Sequence, residues 1–249
     1  MRGRPVPGID DGRPVRAVNA DTRAVVAELR TLADPSRKPG MAHVGITIDR
    51  ALGVSIPKLR RLARAHRGDH ELALDLWATG IHEARILASM VDDPALVSRT
   101  QMDTWAKDFD SWDLCDQVCT NLFQSSRSAD AAARAWCRRD EEYVKRAAFA
   151  IAAAQAVHGR DRDDDSFIAW FPRIRRAATD ERNVVKKAVN WALRQIGKRN
   201  LALRDAAIAE AERLLELDSR SARWIARDAL RELRSDAVAE RLGARREEA

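Results

Sequence analysis

Apolar residues along this chain recur at steps of three and four, and the clearest instance lies at 183–199. Val185, Val189, Ala192 and Ile196 fall at i, i+4, i+7 and i+11, which is one face of an α-helix. Lys187, Trp191, Arg194 and Lys198 repeat that spacing on a second face, about 200° round from the first. One stripe therefore suits a core and the other a surface. No stretch alternates as a strand does, and the prolines at 35, 39, 57, 94 and 172 sit at breaks between helical runs. The pattern predicts helices near 21–33, 57–66, 70–79, 82–91, 94–107, 111–124, 128–138, 141–157, 164–177, 181–198, 200–216 and 219–232, with loops at 34–46 and 159–165.

Residues 1–18 mix Arg, Gly, Pro and Asp without periodicity and read as a disordered leader. Residues 19–241 read as one helical domain, and 242–249 as a charged C-terminal tail. Within the domain, Glu142-Tyr143-Val144-Lys145-Arg146-Ala147 aligns with Val184-Val185-Lys186-Lys187-Ala188, and more loosely with Ile225-Ala226-Arg227-Asp228-Ala229. Arg146, Lys187 and Arg227 stand about 40 residues apart, the period of HEAT and armadillo repeats, in which helix pairs stack into a curved solenoid. The expected fold is thus an all-α superhelix with a concave basic face. A solvated face with scattered Lys and Arg is the alternative reading of the same pattern.

A net charge of +6 favours an anionic partner without identifying one. No apolar run approaches a membrane span, and the N-terminus lacks the apolar segment of a signal peptide, so a cytoplasmic monomer is expected. Cys115, Cys119 and Cys137 are odd in number and fit buried free thiols. His66, His70, His82 and His158 show no ligand spacing, so no metal is expected. No Gly-rich phosphate loop marks a nucleotide cofactor, and no cofactor of any kind is expected.

Three features bear on chemistry. Trp191 stands inside a cationic row, where an indole can stack on a base or sugar. Trp112 and Asp116 share a helix face at i, i+4, which aims a ring and a carboxylate at one target; a core Trp112 with Asp116 paired to a neighbouring repeat is the structural alternative. Asp113 points elsewhere and could support the helix start. Arg146, at the edge of the apolar run Ala147–Ala154, is either an ion-pair partner or a phosphate clamp. Trp77, Trp105, Trp136, Trp170 and Trp224 read as packing residues.

Together the Trp112-x-x-x-Asp116 spacing, Val144-Lys145-Arg146-Ala147 and the segment Val185–Arg194 resemble the DNA alkylation repair glycosylases of the AlkD type, over roughly residues 41–240. The resemblance implies a HEAT-like repeat enzyme that excises N3- and N7-alkylated purines from duplex DNA without flipping the lesion. It implies that Trp112 and Trp191 flank the damaged nucleotide, that Asp116 approaches its deoxyribose and that Arg146 engages the backbone nearby. Lys145, Lys186, Lys187, Arg194, Lys198, Arg199 and Arg227 would hold phosphates and set register. Family members commonly carry an aromatic within the segment corresponding to 40–46, where this chain has His43 and Val44.

The chemistry is consistent with so sparse a site. A purine alkylated at N3 or N7 is already cationic and leaves without protonation. Positive charge grows instead on the sugar, where a carboxylate stabilises it. Each indole face adds about 0.5–2 kcal/mol toward a cationic nucleotide.

Overall fold

One helix, buried on nearly every side, organises the chain. In Glu142–His158 (α9) all ten positions from Ala147 to Ala156 are buried, seven of them Ala and the others Phe149, Ile151 and Gln155. Alanine has the highest helix propensity and the shortest reach, so neighbouring helices can close on it from several directions. The computed structural model describes residues 20–247, and the leader expected at 1–18 lies outside them.

Ahead of α9 come α1 (Ala20–Thr31), α2 (Lys38–His43), α3 (Ile56–Ala63), α4 (His70–Ala78), α5 (His82–Val91), α6 (Arg99–Lys107), α7 (Trp112–Asn121) and α8 (Ala129–Trp136). After it come α10 (Asp164–Ile168), α11 (Phe171–Ala177), α12 (Asn183–Gly197), α13 (Leu201–Leu215), α14 (Arg220–Leu233) and α15 (Asp236–Glu247). Helices α5, α7, α9, α12 and α14 pack side by side in that order as one layer, with α4, α8, α11 and α13 against its back. Among the described residues there is no strand, and no helix is long and apolar enough to cross a membrane. The stripe Val185, Val189, Ala192 and Ile196 is fully buried, as its spacing requires.

Side-chain caps start several helices: Asp69 accepts from Leu72 N–H, Ser98 from Gln101, Asn200 from Leu203 and Ser219 from Ala222. Elsewhere the boundaries differ from the sequence pattern. The loop expected at 34–46 holds a short 3-10 turn, Pro35–Arg37, and then α2, because Pro35 and Pro39 fall in first turns, where a missing N–H costs nothing. The single helix expected at 164–177 is broken into α10 and α11 at Pro172, which cannot donate back to the preceding turn. Helix α15 runs to Glu247, through much of the segment assigned to a tail.

Trp77 and Trp105 stack with centroids 4.0 Å apart and 4° between planes, while the Nε1–H groups of Trp77 and Trp136 donate to Asp108 and Asp103. Trp170 packs on Phe149. Trp224 does not fit the packing role, being 40% exposed. The connection before α3 is fixed by Glu83, whose carboxylate accepts the Leu52 and Gly53 N–H groups at 2.7 and 2.6 Å. Gly53 has φ of +82°, and a Cβ there would come within 2.1 Å of the Asp34 carbonyl oxygen. Gly53→Ala is therefore expected to destabilise the fold by about 2 kcal/mol or more, read as a lowered denaturation midpoint. An unchanged midpoint would show that this turn is not under that constraint.

Candidate functional site

Helix α7 begins with the residues that build the site. Trp112 is half-buried, and its Nε1–H donates to the Val44 carbonyl at 2.9 Å, while the Thr47 hydroxyl donates to the Asp110 carbonyl at 2.9 Å. These two bonds hold residues 44–47 across the start of α7. One turn later, Asp116 receives a bidentate contact from Arg146 of α9, with Nε at 2.9 Å from one carboxylate oxygen and Nη2 at 2.7 Å from the other. Arg146 is 5% exposed, and its remaining donor reaches the Val184 carbonyl at the start of α12.

A cavity of about 780 Å³ opens at this junction. Trp112 and Asp116 enter it from α7, Arg146 from α9, Lys187 and Trp191 from α12, and His43 and Val44 from the end of α2. All four residues to which the family resemblance gives catalytic roles thus line one hollow. Trp112, Asp116 and Trp191 also line an adjoining cavity of about 450 Å³, whose other walls include His82, Asp113, Gln117 and Asn121. Burial pushes the Asp116 carboxyl above its ordinary value, against the downward pull of the guanidinium. Burial opposes the charge on Arg146 too, but the hydrogen bond and charge of Asp116 outweigh it and hold the guanidinium protonated. Arg146 thus bonds the Asp116 carboxylate and the Val184 carbonyl.

The basic row is narrower than its spacing implies. Arg194 pairs with Asp228 and Glu232 at 3.3 and 2.8 Å, Lys198 with Glu232 at 2.6 Å, and Lys145 with Asp180 at 3.0 Å. Arg199 donates to the carbonyls of Ala156 and Arg162 at 3.1 Å each and lies over the Phe167 ring, which ties α12 to the end of α9. Lys186 covers the ring of Trp224. Lys187 and Arg227 are exposed and have no ion pair among the described residues. Arg146, Lys187 and Arg227 share a repeat position but have separate environments, so they do not form a uniform stripe.

Sequence reasoning missed the pair His82–Asp113, joined at 2.9 Å in the first turns of α5 and α7. Their 31-residue separation carries no motif, and only the equivalent placement in successive repeats could have pointed to them. The other nitrogen of His82 and the other oxygen of Asp113 are buried and have no partner among the described residues. Burial lowers the His82 pKa, but its hydrogen bond to Asp113 and that charge more than compensate and leave it above 6.5. Burial raises Asp113, but His82 pulls it below 3.8. The His82 contribution to stability is full below pH 6.5 and is lost as pH rises through its raised value. That of Asp113 is present above pH 3.8 and is lost as pH falls through its lowered value. The melting difference between wild type and His82→Gln is thus expected to be largest near pH 5, worth about 2 kcal/mol, and to shrink by pH 9. A difference independent of pH would remove the ion pair from the account.

Cys115 and Cys119 donate to the Tyr143 and Ala147 carbonyls of α9, and all three cysteines are buried free thiols. No metal-binding cluster of His, Cys, Asp and Glu occurs among the described residues.

The fold is similar to a solved structure from a new family of proteins related to the HEAT-like repeat DNA glycosylases with affinity for branched DNA structures. The TM-score is 0.68 at 21% identity, covering 77% of this chain and 82% of that one. No curated protein matches the sequence. The sequence pattern described as DNA alkylation repair enzyme matches residues 25–233, which include every helix that contributes to the two cavities. On that match, spanning most of the domain, the chain belongs to the DNA alkylation repair enzyme family.

Proposed function

We propose that this protein is a monofunctional DNA glycosylase that hydrolyses the N-glycosidic bond of N3- and N7-alkylated purines in duplex DNA, without flipping the base. The observation that carries the proposal is the convergence of Trp112, Asp116 and Trp191 on one hollow, with both Asp116 oxygens bonded by Arg146. The C1′–N bond breaks, and its electron pair leaves with the purine and cancels the lesion charge. Water then adds to C1′ and releases its proton to solvent. Asp116, held through both oxygens by Arg146, is fixed in orientation, which favours stabilisation of the sugar cation over general-base catalysis. The indoles of Trp112 and Trp191 contact the cationic nucleotide and exclude water, and Lys187 holds an adjacent phosphate. Release of free N7-methylguanine or N3-methyladenine from methylated duplex DNA tests the reading. No release by wild type would end it.

A second reading is a non-catalytic protein that binds damaged, bent or branched DNA. The engagement of both Asp116 oxygens favours it, as does the branched-DNA affinity attributed to the structural neighbour's family. It predicts strongly salt-dependent binding with no base released.

A further inference from the structure

Helix α14 repeats, one helix on, the two-faced pattern of α12. Ala222, Ala226, Ala229 and Leu233 are fully buried, while Arg220, Trp224, Arg227 and Arg231 fall at i, i+4, i+7 and i+11 on the opposite side. The two outer faces differ in charge. On α12 the cations after Trp191 are paired with Asp228 and Glu232. On α14, Arg220 and Arg227 are exposed and have no acidic partner among the described residues, whereas Arg223 meets Asp218 and Arg231 meets Asp228. Trp224, 40% exposed, is the most open aromatic side chain among the described residues. It forms part of a cleft of about 380 Å³ lined by these four arginines and Asp228. Lys186 sits 4.9 Å from the centroid of the indole and is not among the residues that line that cleft.

An exposed indole ringed by cations is built for a ligand that alternates negative charge with flat aromatic faces. Phosphates alone would leave the exposed part of the ring without a ligand, and duplex DNA presents only base edges in its grooves. A base face becomes available where the strand is unpaired. We propose that this face of α14 is a second nucleic-acid site, in which Trp224 stacks on an unpaired base of single-stranded DNA while Arg220 and Arg227 hold the phosphates beside it. The site is independent of the excision chemistry and would serve equally a protein that releases no base.

The test measures fluorescence anisotropy of the full chain with an unmodified blunt duplex and with the same duplex carrying a single-stranded overhang. Wild type is expected to bind the overhang substrate about tenfold more tightly. Trp224→Leu abolishes that preference and Trp224→Phe retains most of it, because stacking requires a ring and not merely apolar area. Paired Arg220→Ala and Arg227→Ala substitutions lower affinity and flatten its salt dependence. Circular dichroism melts confirm that these surface variants remain folded, and base release from methylated blunt duplex stays at the wild-type level in Trp224→Leu, whatever that level is. Equal affinity of wild type for the two substrates, or a leucine variant that performs like phenylalanine, overturns the proposal.

Discussion

Asp116→Asn is expected to lower the single-turnover rate of N7-methylguanine release from methylated duplex DNA by about a hundredfold or more, with DNA affinity little changed. The substitution keeps the size of the side chain and can retain one contact with Arg146, but it removes the negative charge facing the cavity that Trp112 and Trp191 share. That charge acts on the sugar only as its bond to the purine breaks, so the loss falls on the chemical step and not on binding. Saturating enzyme and a check of the folded fraction separate this effect from the cost of leaving Arg146 unneutralised. Equal rates for wild type and variant would show that the carboxylate takes no part in the reaction.

Arg146→Gln is expected to lower stability at pH 8 by about 3–5 kcal/mol, on the order of 10 °C in melting temperature for a domain of this size. Asp116 has a side chain only 19% exposed, and removing the guanidinium leaves its charge without a partner in a largely buried position. The sign of the pH dependence follows. Burial already raises the Asp116 pKa, and loss of the opposing guanidinium raises it further. The destabilisation should therefore diminish as pH falls through that value and the carboxyl takes up a proton. Any excision activity that survives should lose its acid limb at higher pH than wild type does. A melting deficit that stays constant from pH 8 down to pH 5 would mean that Asp116 is not the group left uncompensated. In the double variant Asp116→Asn with Arg146→Gln, the stability losses should fall short of additive, since the second change removes the charge that the first leaves unpaired.

Much of the site was legible in single helices. The i, i+4 relation placed Trp112 and Asp116 on one face of α7, and the two stripes of α12 separated a core face from the face bearing Lys187 and Trp191. What a helix face presents is local information, since 3.6 residues per turn convert spacing directly into direction. The partners of those faces were not legible. Arg146 lies 30 residues from Asp116, Val44 lies 68 from Trp112, and Glu232 lies 34 from Lys198. Each pairing crosses from one repeat to another, or from the N-terminal segment to α7, and depends on how the helices are set against one another. The acids that meet the basic row were hidden for this reason: spacing says which cations share a face, not which acids on the next helix pair with them. Packing is the general expectation for tryptophan, but the spacing of Trp224 with Arg220, Arg227 and Arg231 already sets it on the polar face of α14.

The amino-acid order by itself determined the all-α architecture, the repeat of about 40 residues, the buried stripes and the shared face of Trp112 and Asp116, because each follows from helix periodicity and propensity along a short stretch. Only the tertiary structure decided that Arg146 is committed to Asp116, that Arg194, Lys198 and Arg199 bind within the protein, and that His82 and Asp113 meet beside the same cavity. These are contacts between residues roughly 30–43 positions apart, whose geometry is set by the packing of whole helices and by the desolvation that packing imposes.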